Sequence, residues 1–119
     1  MSIYTIDKIA DKVQPIAEAY DIDKIYLFGS YARGEATEES DIDLYVEFSK
    51  PLGLRYCSFV SDIEDSLGKC VDIITKDALY NPATLQENER LIQRISEERK
   101  CIYTKTDEWI FTLRFGAEM

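Results

Sequence analysis

The sequence predicts an α/β fold, a small mixed β-sheet with flanking helices, on three observations. Residues 41–48, Asp-Ile-Asp-Leu-Tyr-Val-Glu-Phe, alternate strictly between polar and apolar, the two-residue period of a strand with one buried face. Residues 24–28, Lys-Ile-Tyr-Leu-Phe, form a short β-prone run that stops at Gly29. Around these runs apolar residues recur three and four apart, the period of helices lying on a sheet.

Taken in order, Ile6, Ile9, Ala10, Val13, Ala17 and Tyr20 share one helical face, so residues 6–20 read as helix. Pro15 lies inside that pattern and is expected to kink or divide it. The strand 24–28 follows, then a short turn or helix, Tyr31-Ala32-Arg33-Gly34. In the strand 41–48, Ile42, Leu44, Val46 and Phe48 point one way; Asp41, Asp43, Tyr45 and Glu47 point the other. A loop with Pro51 and Gly53 leads to Tyr56, Val60, Ile63 and Leu67, spaced as a helix that Gly68 is placed to end. Residues 69–75 read as a third strand. Asn81-Pro82 reads as an N-cap with proline at the first helical position, opening an amphipathic helix through Leu85, Leu91, Ile92 and Ile95. Residues 100–104 are expected to form an edge strand.

The chain has 119 residues, 45% of them apolar, which fits one domain spanning 1–119 with a packed core. A net charge of −9 opposes direct binding to a long polyanion, so nucleic acid is not an expected partner. There is no histidine, which removes His general bases, His metal ligands and Ser-His-Asp chemistry. Cys57, Cys70 and Cys101 are odd in number and far apart, so they read as buried free thiols rather than a zinc site or disulfides. No apolar run reaches the ~20 residues needed to span a bilayer, and the charged, amphipathic N-terminal stretch is not expected to be a signal peptide. A soluble cytoplasmic protein is expected.

Chemistry concentrates between residues 29 and 43. Asp41 and Asp43 are two apart on a strand, so their carboxylates point to the same side, roughly 6–7 Å apart at the backbone. Two bare carboxylates that close repel, and a divalent cation turns the repulsion into a site. Mg²⁺ suits it, taking one or two carboxylates and filling its shell with water and phosphate oxygens. Two such ions could activate an attacking hydroxyl and stabilise a leaving pyrophosphate. Asp72 leaves the apolar face shared by Val71 and Ile73, so it is the expected third carboxylate if its strand lies beside 41–48. Without histidine, Asp72 or the metal ions must draw the acceptor's proton. Gly29 lets backbone approach a phosphate, the Ser30 hydroxyl can bond a phosphate oxygen, and Arg33 brings a planar positive fork to an acidic chain.

The run Leu27-Phe28-Gly29-Ser30-Tyr31-Ala32-Arg33-Gly34, continued by Ser40-Asp41-Ile42-Asp43-Leu44, resembles the signature of the DNA polymerase β-like nucleotidyltransferase superfamily, in its minimal branch. Val71-Asp72-Ile73, the last helix and Ile102-Tyr103 also fall where that branch has them. The resemblance implies that Asp41, Asp43 and Asp72 are catalytic and hold Mg²⁺. It implies that Gly29, Ser30 and Arg33 hold the nucleotide phosphates, and that ATP is the nucleotidyl donor. Many minimal members are antitoxins paired with HEPN-domain ribonuclease toxins. The resemblance therefore implies transfer of AMP to a toxin tyrosine, within a hetero-oligomer of the two proteins. Two alternatives stay open at this point, an antitoxin acting by contact alone and a nucleotidyltransferase acting on a small molecule. The tail 105–119, with Trp109, Ile110, Phe111, Leu113 and Phe115, is expected either to pack on the core or to dock a partner.

Overall fold

A computed structural model describes residues 4–105. The elements run α1 (Ile6–Ala19), β1 (Lys24–Phe28), α2 (Ser30–Arg33), β2 (Ile42–Glu47), α3 (Arg55–Leu67), β3 (Val71–Thr75), α4 (Lys76–Leu79), α5 (Glu89–Glu98) and β4 (Lys100–Thr104). Four strands form one mixed sheet in the order β3-β2-β1-β4. β1 pairs antiparallel with both β2 and β4, while β2 and β3 run parallel. Helix α3 supplies the crossover that a parallel pair requires.

Each face of the sheet buries its own set of side chains. On one, Ile25, Leu27, Ile42, Leu44, Val46 and Val71 meet Ile9, Val13 and Ala17 of α1 and Phe59, Ile63 and Leu67 of α3. Phe59 is fully buried, and truncating a ring so placed costs roughly 3–5 kcal/mol. The other face carries a smaller cluster of Phe28, Tyr45, Leu79 and Ile95, flanked by Tyr26, Ile74, Leu91 and Ile92. Helices α4 and α5 cover that second face only in part, and the predicted catalytic side chains lie on it.

Four expectations are corrected. Pro15 does not divide α1, which is continuous from Ile6 to Ala19. Pro15 faces outward, and the burial of Ile9, Val13 and Ala17 offsets the helix bond that proline removes. Asn81-Pro82 opens a series of turns rather than the helix. Asn81 Oδ1 accepts from Ala83 N–H at 2.8 Å, but α5 begins only at Glu89. Leu85, expected on the apolar helical face, is 42% exposed in those turns. Finally, the three cysteines are free but exposed, not buried. Cys57 and Cys70 fall at outward positions of α3 and of the turn before β3, where burial never entered.

The short helix α4 has no periodic signal in the sequence. Thr75 caps it, its hydroxyl accepting from Ala78 N–H at 3.2 Å. Gly68 ends α3 as expected, in a left-handed conformation. Among the described residues, no helix is long and apolar enough to cross a membrane. The aromatic tail lies outside the described residues.

Candidate active site

Parallel pairing of β2 with β3 sets Asp43 directly opposite Asp72, between the pairs Ile42↔Val71 and Leu44↔Ile73. The flanking aliphatic residues point into the core, so the two carboxylates emerge together on the other face. Asp43 is half-buried and Asp72 exposed. The pKa of Asp43 is pushed up to about 6, by burial first, then by the charge of Asp72 and a hydrogen bond with it. Asp41 adds a smaller like-charge contribution from just before β2. It is exposed, and its influence on Asp43 ranks below those of burial, Asp72 and Arg94.

The Gly-Ser turn is built against this pair. Phe28, the last residue of β1, pairs with Asp43, so Gly29 leaves the sheet immediately beside that carboxylate. A Cβ on Gly29 would stand 2.1 Å from Asp43 Oδ2. Gly29 also has φ 78°, a conformation that side chains strain. Glycine is therefore required twice over, by backbone angle and by space. Ser30 opens α2, whose Tyr31 and Ala32 are buried and pin the turn to the first core.

Arg33, at the end of α2, is held on two sides. Its Nε donates to Glu35 Oε1 and its Nη1 to Glu98 Oε1, both at 3.0 Å. The same Glu98 oxygen accepts from Gly29 N–H at 3.2 Å. Two of the groups expected to hold phosphate thus face a carboxylate of α5. Arg94, one helical turn before Glu98, places Nη2 4.0 Å from that oxygen and lowers the pKa of Asp43 by its charge. Neither Arg94 nor Glu98 stands out in the sequence. An Arg and a Glu four apart look like any solvated helix pair, and only the packing of α5 through Ile95 turns them toward the turn.

Of the predicted residues, then, Asp43, Asp72 and Gly29 converge, with Asp41 at the margin and Arg33 alongside, tied to Glu98. Among the described residues no group of three or more His, Cys, Asp or Glu side chains could hold a metal ion. The donor chemistry nonetheless fits a hard divalent cation. Asp43 and Asp72 stand opposite each other in adjacent parallel strands, and Mg²⁺ commonly takes two carboxylates and completes its shell with water and phosphate.

The chain belongs to the nucleotidyltransferase domain family, which it matches over residues 6–102. It is 47% identical over 70 residues to the Methanocaldococcus jannaschii protein named "Putative protein adenylyltransferase MJ1379", a match covering 56% of this chain and 70% of that one. The fold is that of a solved structure described as a putative minimal nucleotidyltransferase, at TM-score 0.64 and 30% identity, covering 84% of this chain and 95% of that one. A toxin–antitoxin crystal structure with AMP-PNP shares the fold at TM-score 0.62 and 22% identity, covering 92% of this chain and 85% of that one.

Proposed function

We propose that this protein is a protein adenylyltransferase that acts as an antitoxin. It transfers AMP from ATP to a hydroxyl, a tyrosine, of a partner HEPN ribonuclease toxin in the cytoplasm, and so neutralises it. The observation that carries the reading is Asp43 opposite Asp72 in adjacent parallel strands, with Gly29 pressed against Asp43. Asp41, Asp43 and Asp72 would hold Mg²⁺, and Gly29, Ser30 and Arg33 the phosphates. Magnesium supplies charge neutralisation of the triphosphate and a lowered pKa for the attacking hydroxyl.

In the transfer the acceptor oxygen bonds to the α-phosphorus, the bond from that phosphorus to its bridging oxygen breaks, and pyrophosphate leaves. Asp72, the more exposed of the pair, or the metal ions would draw the acceptor's proton. The chain's acidity suits a basic, RNA-cutting partner. Likeness to proteins named for adenylyl transfer supports the chemistry, and a fold shared with a toxin–antitoxin complex supports the class of partner.

The test uses ATP labelled on the α-phosphate, Mg²⁺ and a purified HEPN-domain toxin. Label should pass to the toxin and disappear with Asp41→Ala plus Asp43→Ala. A double variant that still labels the toxin would refute the catalytic reading. If it fails to label yet still neutralises the toxin in cells, transfer is not how the toxin is silenced.

A further inference from the structure

Three groups surround a single atom, Glu98 Oε1. Gly29 N–H lies at 3.2 Å, Arg33 Nη1 at 3.0 Å and Arg94 Nη2 at 4.0 Å. Glu98 itself is only 20% exposed at its side chain, and α5 is anchored beside it by Ile95, which is 2% exposed among Phe28, Tyr45 and Leu79. The second face of the sheet therefore holds a fixed carboxylate with two arginines gathered around it, next to the aspartate pair.

The two arginines are not equivalent. Arg33 is matched at 3.0 Å by each of Glu35 and Glu98, so much of its charge is already compensated. Arg94 has Glu98 at 4.0 Å, shared with Arg33, and its side chain is 51% exposed. An exposed contact of that length contributes little stability, so the guanidinium is free to turn. It nevertheless stands beside the turn, because the same Glu98 oxygen accepts from Gly29 N–H and Gly29 lies against Asp43. In a chain of net charge −9, this guanidinium offers a triphosphate a planar fork suited to phosphate oxygens.

We infer that Arg94 of α5 binds the polyphosphate tail of the nucleoside triphosphate, as a second cation beside Arg33 on the side of the site facing α5. The inference rests on the nucleotidyl-transfer reading and adds a residue to it. Glu98 parks the guanidinium near the site when no nucleotide is present. On binding, phosphate oxygens take over the donors that now share one carboxylate oxygen. No bond is made or broken by this residue; it supplies affinity and orientation to the leaving pyrophosphate.

Calorimetry with Mg²⁺ and an ATP analogue carrying a non-cleavable α–β bridge tests this, with inorganic triphosphate as a second probe. Arg94→Gln is expected to weaken the analogue by about tenfold or more, and triphosphate by a similar factor. Arg94→Lys should recover part of the loss, and Arg90→Gln, on the same helix, should bind within about twofold of wild type. Arg94→Met, which keeps the apolar stem, replaces the glutamine variant if that one does not melt cooperatively. Wild-type binding unchanged in the Arg94 variants overturns the inference and leaves the nucleotidyl-transfer reading standing. Loss for the analogue but not for triphosphate also overturns it, since the contact would then be to base or sugar. Failure of the wild-type protein to take up the magnesium-bound analogue overturns both.

Discussion

At Gly29 the backbone takes φ 78°, and a Cβ there would stand 2.1 Å from Asp43 Oδ2. Gly29→Ala therefore combines a strained dihedral with a clash against a carboxylate that the site needs. It should cost about 2 kcal/mol or more of stability and abolish AMP transfer, measured by urea unfolding and by labelling of the toxin. Gly34→Ala is the control. Its φ is 75° but its Cβ would meet nothing within 4 Å, so it should cost about 1 kcal/mol and leave transfer largely intact. Equal effects at the two positions would show that backbone angle alone matters. Asp43 gives a prediction in pH. Its pKa is raised from 3.8 to about 6 in the folded chain, so the folded state holds the proton more tightly than the unfolded one. That contribution to stability is fully present below about pH 4 and is lost as pH rises through about 6. In metal-free buffer, Asp43→Asn should flatten this part of the melting-temperature profile and raise stability above pH 6. An unchanged profile would mean that the fold does not raise the pKa of Asp43.

The elements show how far sequence reasoning reaches. The alternation in 41–48 predicts β2 and the inward face of Ile42, Leu44 and Val46, all fully buried, because a period of two is imposed by the pleat itself. It also predicts that Asp43 leaves the core, and the position of Asp72 follows from the same rule applied to β3. What stays hidden is whatever depends on another element's position. Tyr45 shares the polar face in sequence but is 2% exposed, because α4 and α5 cover that part of the sheet. Arg94 and Glu98 acquire meaning only once Ile95 seats α5 beside Gly29. The turns 82–88 look like helix in the sequence because Asn81 does make its local capping bond, while the helical start is decided seven residues later. There Asn88 Nδ2 donates to Ala78 O at 3.2 Å, Leu79 O at 3.0 Å and Thr84 Oγ1 at 3.2 Å. This one amide ties the end of α4 to the start of α5. Asn88→Ala should cost about 1–2 kcal/mol. Asn88→Asp should cost more, because it turns a carboxylate oxygen onto acceptors. If aspartate is tolerated better than alanine in thermal unfolding, the amide does not make these contacts.

For the whole molecule, charge is the dominant fact. Fourteen basic side chains face 23 acidic ones, a net −9, and self-repulsion on that scale destabilises a compact chain. Any salt should therefore raise the melting temperature by screening, so a rise with MgCl₂ alone would say nothing about a site. The informative quantity is the difference between MgCl₂ and NaCl at matched ionic strength. A cation held between Asp43 and Asp72 binds the folded state alone, because only the parallel pairing of β2 with β3 brings those residues together. Its stabilisation grows with the logarithm of its concentration, whereas screening saturates once the Debye length falls below the spacing of the charges. Magnesium should thus exceed sodium in the wild-type protein, by a few degrees once its concentration is well above its dissociation constant. In Asp43→Asn plus Asp72→Asn the two salts should coincide, although that variant begins from a higher metal-free stability. A magnesium excess that survives the double substitution would place the ion among the remaining 21 acidic side chains, which are what is left of the 23 when these two are removed. The carboxylate pair would then have no special claim on the metal.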